Sequence, residues 1–548
     1  MRKPILAALL TTNLMAASAA TVSPVELLVA RCKAMPQLSL DGLSTLSSAQ
    51  AANELESRLL PLFNINQQLD YFRPLVGNDE KNQLLQCQLH LADLLDNLLI
   101  SGDLPELLDA FSQNSQPAIK VMGERLEQLR QNRLSPDEKA KLHTAQAAVK
   151  HALGSGQMHL EVANSQCQLA PGDPTDSIDR QIARYLLQQD KSDCRAQVWQ
   201  AFQIRSAGRT REALDEIHRL RQTQATLNGW PDYASFRLKD EFLSSPSLVM
   251  AFLNTQTRNI SVAPWDIGRQ LKALPKASFE SLTPYALISL LAPAFEQLGL
   301  SYDEPQPMIY RFWHQGRLLG QVHLAEDNRL QTYSLEKPVA GRQFGTVLLM
   351  LPSHIDSQRE LDRSVEQLAS AIATLSFSQP HYLATDKDGL SDVGRRWLSL
   401  WLMEQLNSVL LQPADSRLAL TDRYAKQLGV FRAKLALILS TGTPLSDVAQ
   451  LAPIWFETSF GAHWEKAAEA EFGFSALAET GPQYYLPLWY QALAEIVLEQ
   501  TESRLSPAKA YQALLINEPL HTLAQVLSEQ LHLPAEPATI IGRMKKND

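Results

Sequence analysis

Residue types able to do chemistry are plentiful in this chain, but their spacing matches none of the common catalytic patterns. There are 12 histidines, and none has another four residues away. No helix therefore offers the paired imidazoles of H-E-x-x-H, in which positions i and i+4 share a face and hold a metal ion between them. Neither G-x-S-x-G, G-x-x-x-x-G-K nor G-x-G-x-x-G occurs. The acidic pairs Asp240-Glu241 and Glu326-Asp327 read as solvated surface or helix-cap groups rather than a catalytic dyad. Trp397, Trp401, Trp455, Trp464 and Trp489 read as core, and His314, placed at a turn, as exposed and idle. Residues 359–377, RELDRSVEQLASAIATLSF, form on their own an ordinary amphipathic helix.

The elements around these residues follow from periodicity. Ala, Leu, Gln and Glu dominate, and apolar residues recur near a 3.6 period almost throughout, which predicts a mostly α protein of roughly 20 helices. One segment departs from this. Residues 305–329 alternate around His314-Gln315-Gly316, which predicts a β-hairpin, and GTVLLMLP at 345–352 predicts a third strand. A small sheet thus stands directly before the helix at 359–377. Residues 169–177 carry the strongest loop signal, and divide an N-terminal helical region (21–170) from the remainder (171–548).

Composition narrows the function classes. The chain has 50 basic and 59 acidic residues, and no basic cluster appears before Lys545-Lys546, so nucleic-acid binding is disfavoured. Residues 1–20 combine Arg2 and Lys3, a short apolar run and Ala17-Ser18-Ala19, the layout of a cleavable signal peptide too short to span a bilayer. Export to a periplasm is the simplest reading, with secretion beyond it open, and no later segment is suited to membrane insertion. The four cysteines, Cys32, Cys87, Cys167 and Cys194, favour disulfides in an exported protein, and their spacings fit no zinc motif. Proximity in sequence favours Cys32–Cys87 and Cys167–Cys194 among three possible pairings, and free buried thiols are the alternative.

Four further segments bear on function. LRQTQATLNGWPDYASFRLKDEFLSSPSLVMAFL (220–253), PWDIGRQL (264–271), GQVHLAEDNR (320–329) and YYLPLWYQALAEIVLEQ (484–500) follow one another in order. Together they resemble the thimet oligopeptidase and oligopeptidase A family of zinc metallopeptidases, over the chain from about Arg205 to its C-terminus. There are departures: Gly268 and Arg269 stand where the family has two tyrosines, and Ala325 where it has an aspartate.

The resemblance implies where the chemistry would sit. Laid on the family's Leu-Phe-His-Glu-Phe-Gly-His helix, the two histidines fall on Glu366 and Ser370 and the general base on Gln367. A register shifted by one would put Val365 and Ala369 at the ligands and keep Glu366 as base. The third-ligand glutamate falls on Arg395 or Arg396, depending on whether Asp392 or Ser399 anchors the comparison. The two oxyanion-stabilising tyrosines fall on Thr480 and Pro487, and a histidine near Ser475; such oxyanion donors are worth on the order of 3 kcal/mol each. A catalytic zinc needs three protein ligands plus water, and an amide cannot serve as base near neutral pH. A guanidinium beside the site would repel a divalent cation and could instead pair with Glu366.

The resemblance implies a mostly helical, zincin-like fold, two helical lobes flanking a channel that admits short peptides, and a small sheet before the vestigial helix. The expectation is a pseudoenzyme: zinc and hydrolysis lost, with short peptides or an unidentified exported protein bound in or around the cleft, Tyr484 and Tyr485 among the peptide contacts. The alternatives are an active zinc metallopeptidase with unusual ligands, and a structural or regulatory subunit whose cleft has closed.

Overall fold

A computed structural model describes residues 23–154, 165–167, 178–384, 388–410 and 415–544. The signal-peptide reading, the loop at 169–177 and Lys545-Lys546 lie outside them. The described residues include 22 α-helical segments, six short 3-10 or π-helical segments and one five-stranded sheet. No helix among them is long and apolar enough to cross a membrane.

Four helices build the region around residues 359–377: α1 (Ser48–Phe72), α2 (Gln358–Ser376), α3 (Leu390–Leu410) and α4 (Leu486–Ser503). The strands are β1 (Leu300–Gln306), β2 (Ile309–His314), β3 (Arg317–Glu326), β4 (Gln331–Glu336) and β5 (Gly345–Leu351), in the order β1-β2-β3-β5-β4. Only β3 and β5 run parallel. β5 lies between two neighbours, which accounts for its nearly unbroken apolar run.

The predicted hairpin is present as β2 and β3. Its two-residue turn needs positive φ at both positions, met by Gln315 at 49° and Gly316 at 82°. β1 and β4 were not anticipated. β1 reads LSYDEPQ, poor in strand formers, and sits at an edge where Pro305 removes no ladder bond from a central strand. Cross-strand polar contacts hold it: Asp303 accepts from Arg311 and, at 2.8 Å, from the Trp313 indole.

His314 is not exposed. At the end of β2 it is 6% accessible, its ring 5.5 Å from that of Tyr511, and burial pushes its pKa down. Among the tryptophans, Trp397, Trp401, Trp464 and Trp489 are buried, whereas Trp455 is only half-buried. Glu241 is half-buried rather than solvated: it accepts a 2.5 Å hydrogen bond from Gln483, and burial raises its pKa.

Both cysteine pairings favoured by proximity are at bonding distance. Cys32–Cys87 joins helix Pro24–Lys33 to helix Asn78–Leu99, and Cys167–Cys194 joins the turn Ser165–Cys167 to helix Ser192–Gln203.

The apolar core falls into three clusters. Buried side chains from Val25 to Leu126 form one, joined by Leu383. A second gathers Trp199, Trp265, Phe456 and Trp464 with Ala145 and Val149 of helix Pro136–Gly154. The largest surrounds the sheet, α2, α3 and α4.

α1 docks onto the sheet side of the molecule through polar groups. Asn64 and Gln343 exchange two amide hydrogen bonds, Arg342 donates to Asn53 and Ser57, and Phe63 stacks on Tyr382 at 4.3 Å. At the centre Glu56 is fully buried, accepting from the Tyr382 amide at 2.8 Å, with His381 Nδ1 3.9 Å away. Burial raises the Glu56 pKa and lowers that of His381 to about 4.

Two outcomes check these points. Gly320 faces Gly345 across the β3–β5 ladder, and a Cβ on Gly320 would stand 2.3 Å from the Gly345 carbonyl oxygen and 2.8 Å from Leu375 of α2. Gly320→Ala should destabilise the fold by about 1–3 kcal/mol in denaturant unfolding, and an unchanged midpoint would contradict the close helix–sheet approach. Glu56→Gln keeps the acceptor and removes a carboxyl whose folded pKa is raised. The stability contributed by the protonated form is present below the unfolded pKa of 4.5 and lost as pH rises, while His381, with a pKa of about 4, stays neutral over that range. The Tm difference, Gln variant minus parent, should therefore grow from pH 5 to pH 8; a shrinking difference would refute the burial argument.

Candidate functional site

α2 starts where the chain leaves β5. Ser357 caps it by accepting from the Glu360 amide, and Glu360 in turn accepts from the Asp356 amide at 2.9 Å. Leu361, Val365, Leu368, Ile372 and Leu375 follow a 4-3-4-3 spacing and are fully buried. This stripe packs on β3, β4 and β5 and against α3. The polar residues left over, Glu366, Gln367, Ser370 and Thr374, are half-buried along the other side of the helix.

Of the two possible arginine partners, Arg396 is the one that meets Glu366. Its Nη1 donates to Glu366 Oε1 across the α2–α3 seam, with side-chain exposures of 27% and 31%. Arg395 turns instead to Asp392 on its own helix, at 3.0 Å. The Gln367 carbonyl accepts from Thr332 Oγ1 of β4 at 2.9 Å, and that of Ser370 from Thr374 Oγ1 at 2.8 Å. The residues on which the sequence resemblance would lay zinc ligands and base are thus a carboxylate already held by a guanidinium, an amide and a hydroxyl. They do not fit zinc, which takes imidazole, thiolate or carboxylate from three side chains. No group of three or more His, Cys, Asp or Glu able to hold a metal is found among the described residues.

Beside the ion pair lies a cavity of about 280 Å³. α2 contributes Ser370, Ala373 and Thr374 and α3 contributes Asp392 and Arg395, while Ser334 comes from β4 and Lys337 from just beyond it. Gln67 of α1 closes the opposite wall. The Lys337 ammonium donates to the Tyr382 carbonyl at 3.1 Å, and its amide to Gln67 Oε1 at 3.1 Å. Gln67, Ser334 and Lys337 escape sequence reasoning because they share no motif with α2. Only the docking of α1 and the β4 edge brings them there.

The late segment is built differently. Thr480 is exposed, its hydroxyl donating to the Ala476 carbonyl at 2.8 Å, and Pro487 is exposed in the first turn of α4. Ser475 is half-buried. Tyr484 is also half-buried, 5.5 Å from the Phe474 ring. Tyr485, by contrast, is 1% accessible and packs near Phe252, and burial pushes its pKa well up. It is a core side chain, with no surface to offer a peptide.

No family model matches this sequence, and no curated protein does either. The fold has a counterpart among solved structures: the crystal structure of the "putative peptidase" of Chlamydophila abortus, with a TM-score of 0.54, 13% identity and 95% of each chain covered. At that identity the likeness is one of fold, and it extends over nearly the whole of both chains.

The ion pair should behave as a half-exposed contact. A double-mutant cycle with Glu366→Gln and Arg396→Gln should give a coupling of about 0.5–1 kcal/mol in urea unfolding. Additive effects of the two substitutions would show that the groups do not pair.

Proposed function

We propose that this protein keeps a metallo-oligopeptidase-like fold, two lobes flanking a channel, while having lost zinc-dependent hydrolysis. It acts as an exported binding protein for short peptides or for an exported protein partner. The observation that carries this reading is the Glu366–Arg396 pair. On the resemblance a zinc centre would need an open ligand at residue 366, and the pair supports the loss because its carboxylate is already bound and its fixed positive charge would repel a divalent cation. The peptidase-like fold supports the ancestry. The division into an N-terminal helical region (21–170) and an oligopeptidase-like region (171–548) belongs to the same reading.

The polar cavity beside the pair supports binding over a filled, purely structural cleft. Its lining mixes hydroxyls, an amide and charged groups with the apolar Ala373 and Phe377, so a ligand there would be held chiefly by polar contacts.

Two assays on the mature chain test this. Quenched-fluorescent peptide libraries should show no hydrolysis above buffer, with or without added zinc. The same peptides should raise Tm in a concentration-dependent manner, because a ligand that binds only the folded state stabilises it. Chelator-sensitive cleavage would overturn the loss of catalysis, and absence of any peptide-dependent Tm change would overturn the binding of short peptides.

A further inference from the structure

We propose that the cavity between α1, β4, α2 and α3 is a carboxylate pocket, taking one residue-sized ligand: a free amino acid or the C-terminal residue of a peptide. The inference rests on the peptide-binding reading above and gives it a chemical class.

Size sets the first limit. At about 280 Å³ the cavity falls just below the about 300–1,000 Å³ of pockets for drug-sized ligands. It has room for one residue rather than an extended peptide. Charge sets the second. Its lining holds two cations, Lys337 and Arg395, against one acid, Asp392. Asp392 accepts from one arm of Arg395, while a guanidinium carries five donors in a fork that matches a carboxylate. Glu56 lies within electrostatic reach of Lys337, but burial disfavours its ionised form, which limits its claim on that ammonium.

An unmet hydrogen-bonding group supplies the third line. Ser334, one of the lining residues, carries a buried hydroxyl with no partner among the protein groups. A hydroxyl is both donor and acceptor, and leaving one buried and unpaired costs about 1–3 kcal/mol, a deficit that a bound carboxylate oxygen would remove. Ala373 and Phe377 provide an apolar wall for the ligand's aliphatic part. With Gln67 on one side and α2 and α3 on the other, such a ligand would span the seam where α1 docks.

The test is calorimetric titration of the mature chain with free alanine, Ala-Ala, C-terminally amidated Ala-Ala and inorganic phosphate. At least one of the two carboxylate ligands should bind, more weakly as salt rises, and which of them binds tighter identifies the natural source. The amide should bind at least about tenfold more weakly than Ala-Ala, as expected when a charge-assisted hydrogen bond is lost. Arg395→Gln should weaken carboxylate binding by a similar factor. Ser334→Ala, which removes the unpaired hydroxyl and leaves the ion pairs alone, should raise the Tm without ligand and lose about three- to tenfold in affinity. Equal binding of amide and acid, full affinity in both variants, or phosphate bound as tightly as alanine would overturn the carboxylate assignment while leaving peptide binding elsewhere in the cleft intact. Failure of every ligand to bind would overturn the pocket, while peptide binding elsewhere in the cleft stands or falls with the Tm response to the peptide libraries.

Discussion

The burial of one face of α2 is the constraint from which the rest of this region derives. Leu361, Val365, Leu368, Ile372 and Leu375 are locked between the sheet and α3. The approach is close because β3 and β5 present glycine to glycine, Gly320 opposite Gly345, beneath Leu375. With that stripe fixed, the rotation of the helix is fixed too. Whatever stands at 366, 367 and 370 must face the half-exposed side, whether or not it can do chemistry. A scaffold of this kind can lose its reactive groups without losing its shape, since packing and site occupy different faces of one helix.

The groups on that face are joined by charge. Glu366 and Arg396 join α2 to α3, while Arg395 is held by Asp392 one turn earlier. Two adjacent arginines on one helix thus take opposite roles: one closes the seam, and the other lines the cavity beside it. Neither ion pair needs to contribute much to stability, because each is partly exposed. Their importance is electrostatic, in what they would exclude and what they would attract.

The sequence disclosed the repetitive parts of this molecule and concealed the long-range ones. Helical periodicity, the His314-Gln315-Gly316 turn and the apolar run of β5 are local patterns, and each is present in the fold. β1 and β4 were hidden because edge strands can be polar and carry proline. His314 and Tyr485 were misread for a common reason: burial of a turn residue or of a tyrosine pair is decided by what packs over it from far along the chain, Tyr511 in one case and Phe252 in the other. The Glu366–Arg396 contact was legible as one of two options, and only the relative rotation of α2 and α3 selects between Arg395 and Arg396. Gln67, Ser334 and Lys337 could not have been found by spacing.

Metal content tests the central claim most directly. The protein, produced with zinc in the medium and purified without chelator, should contain only trace zinc by plasma mass spectrometry, and its Tm should not respond to added zinc or to EDTA. Stoichiometric zinc that EDTA removes with loss of stability would contradict the account, because residues 366, 367, 370 and 396 in this arrangement provide no centre to hold it.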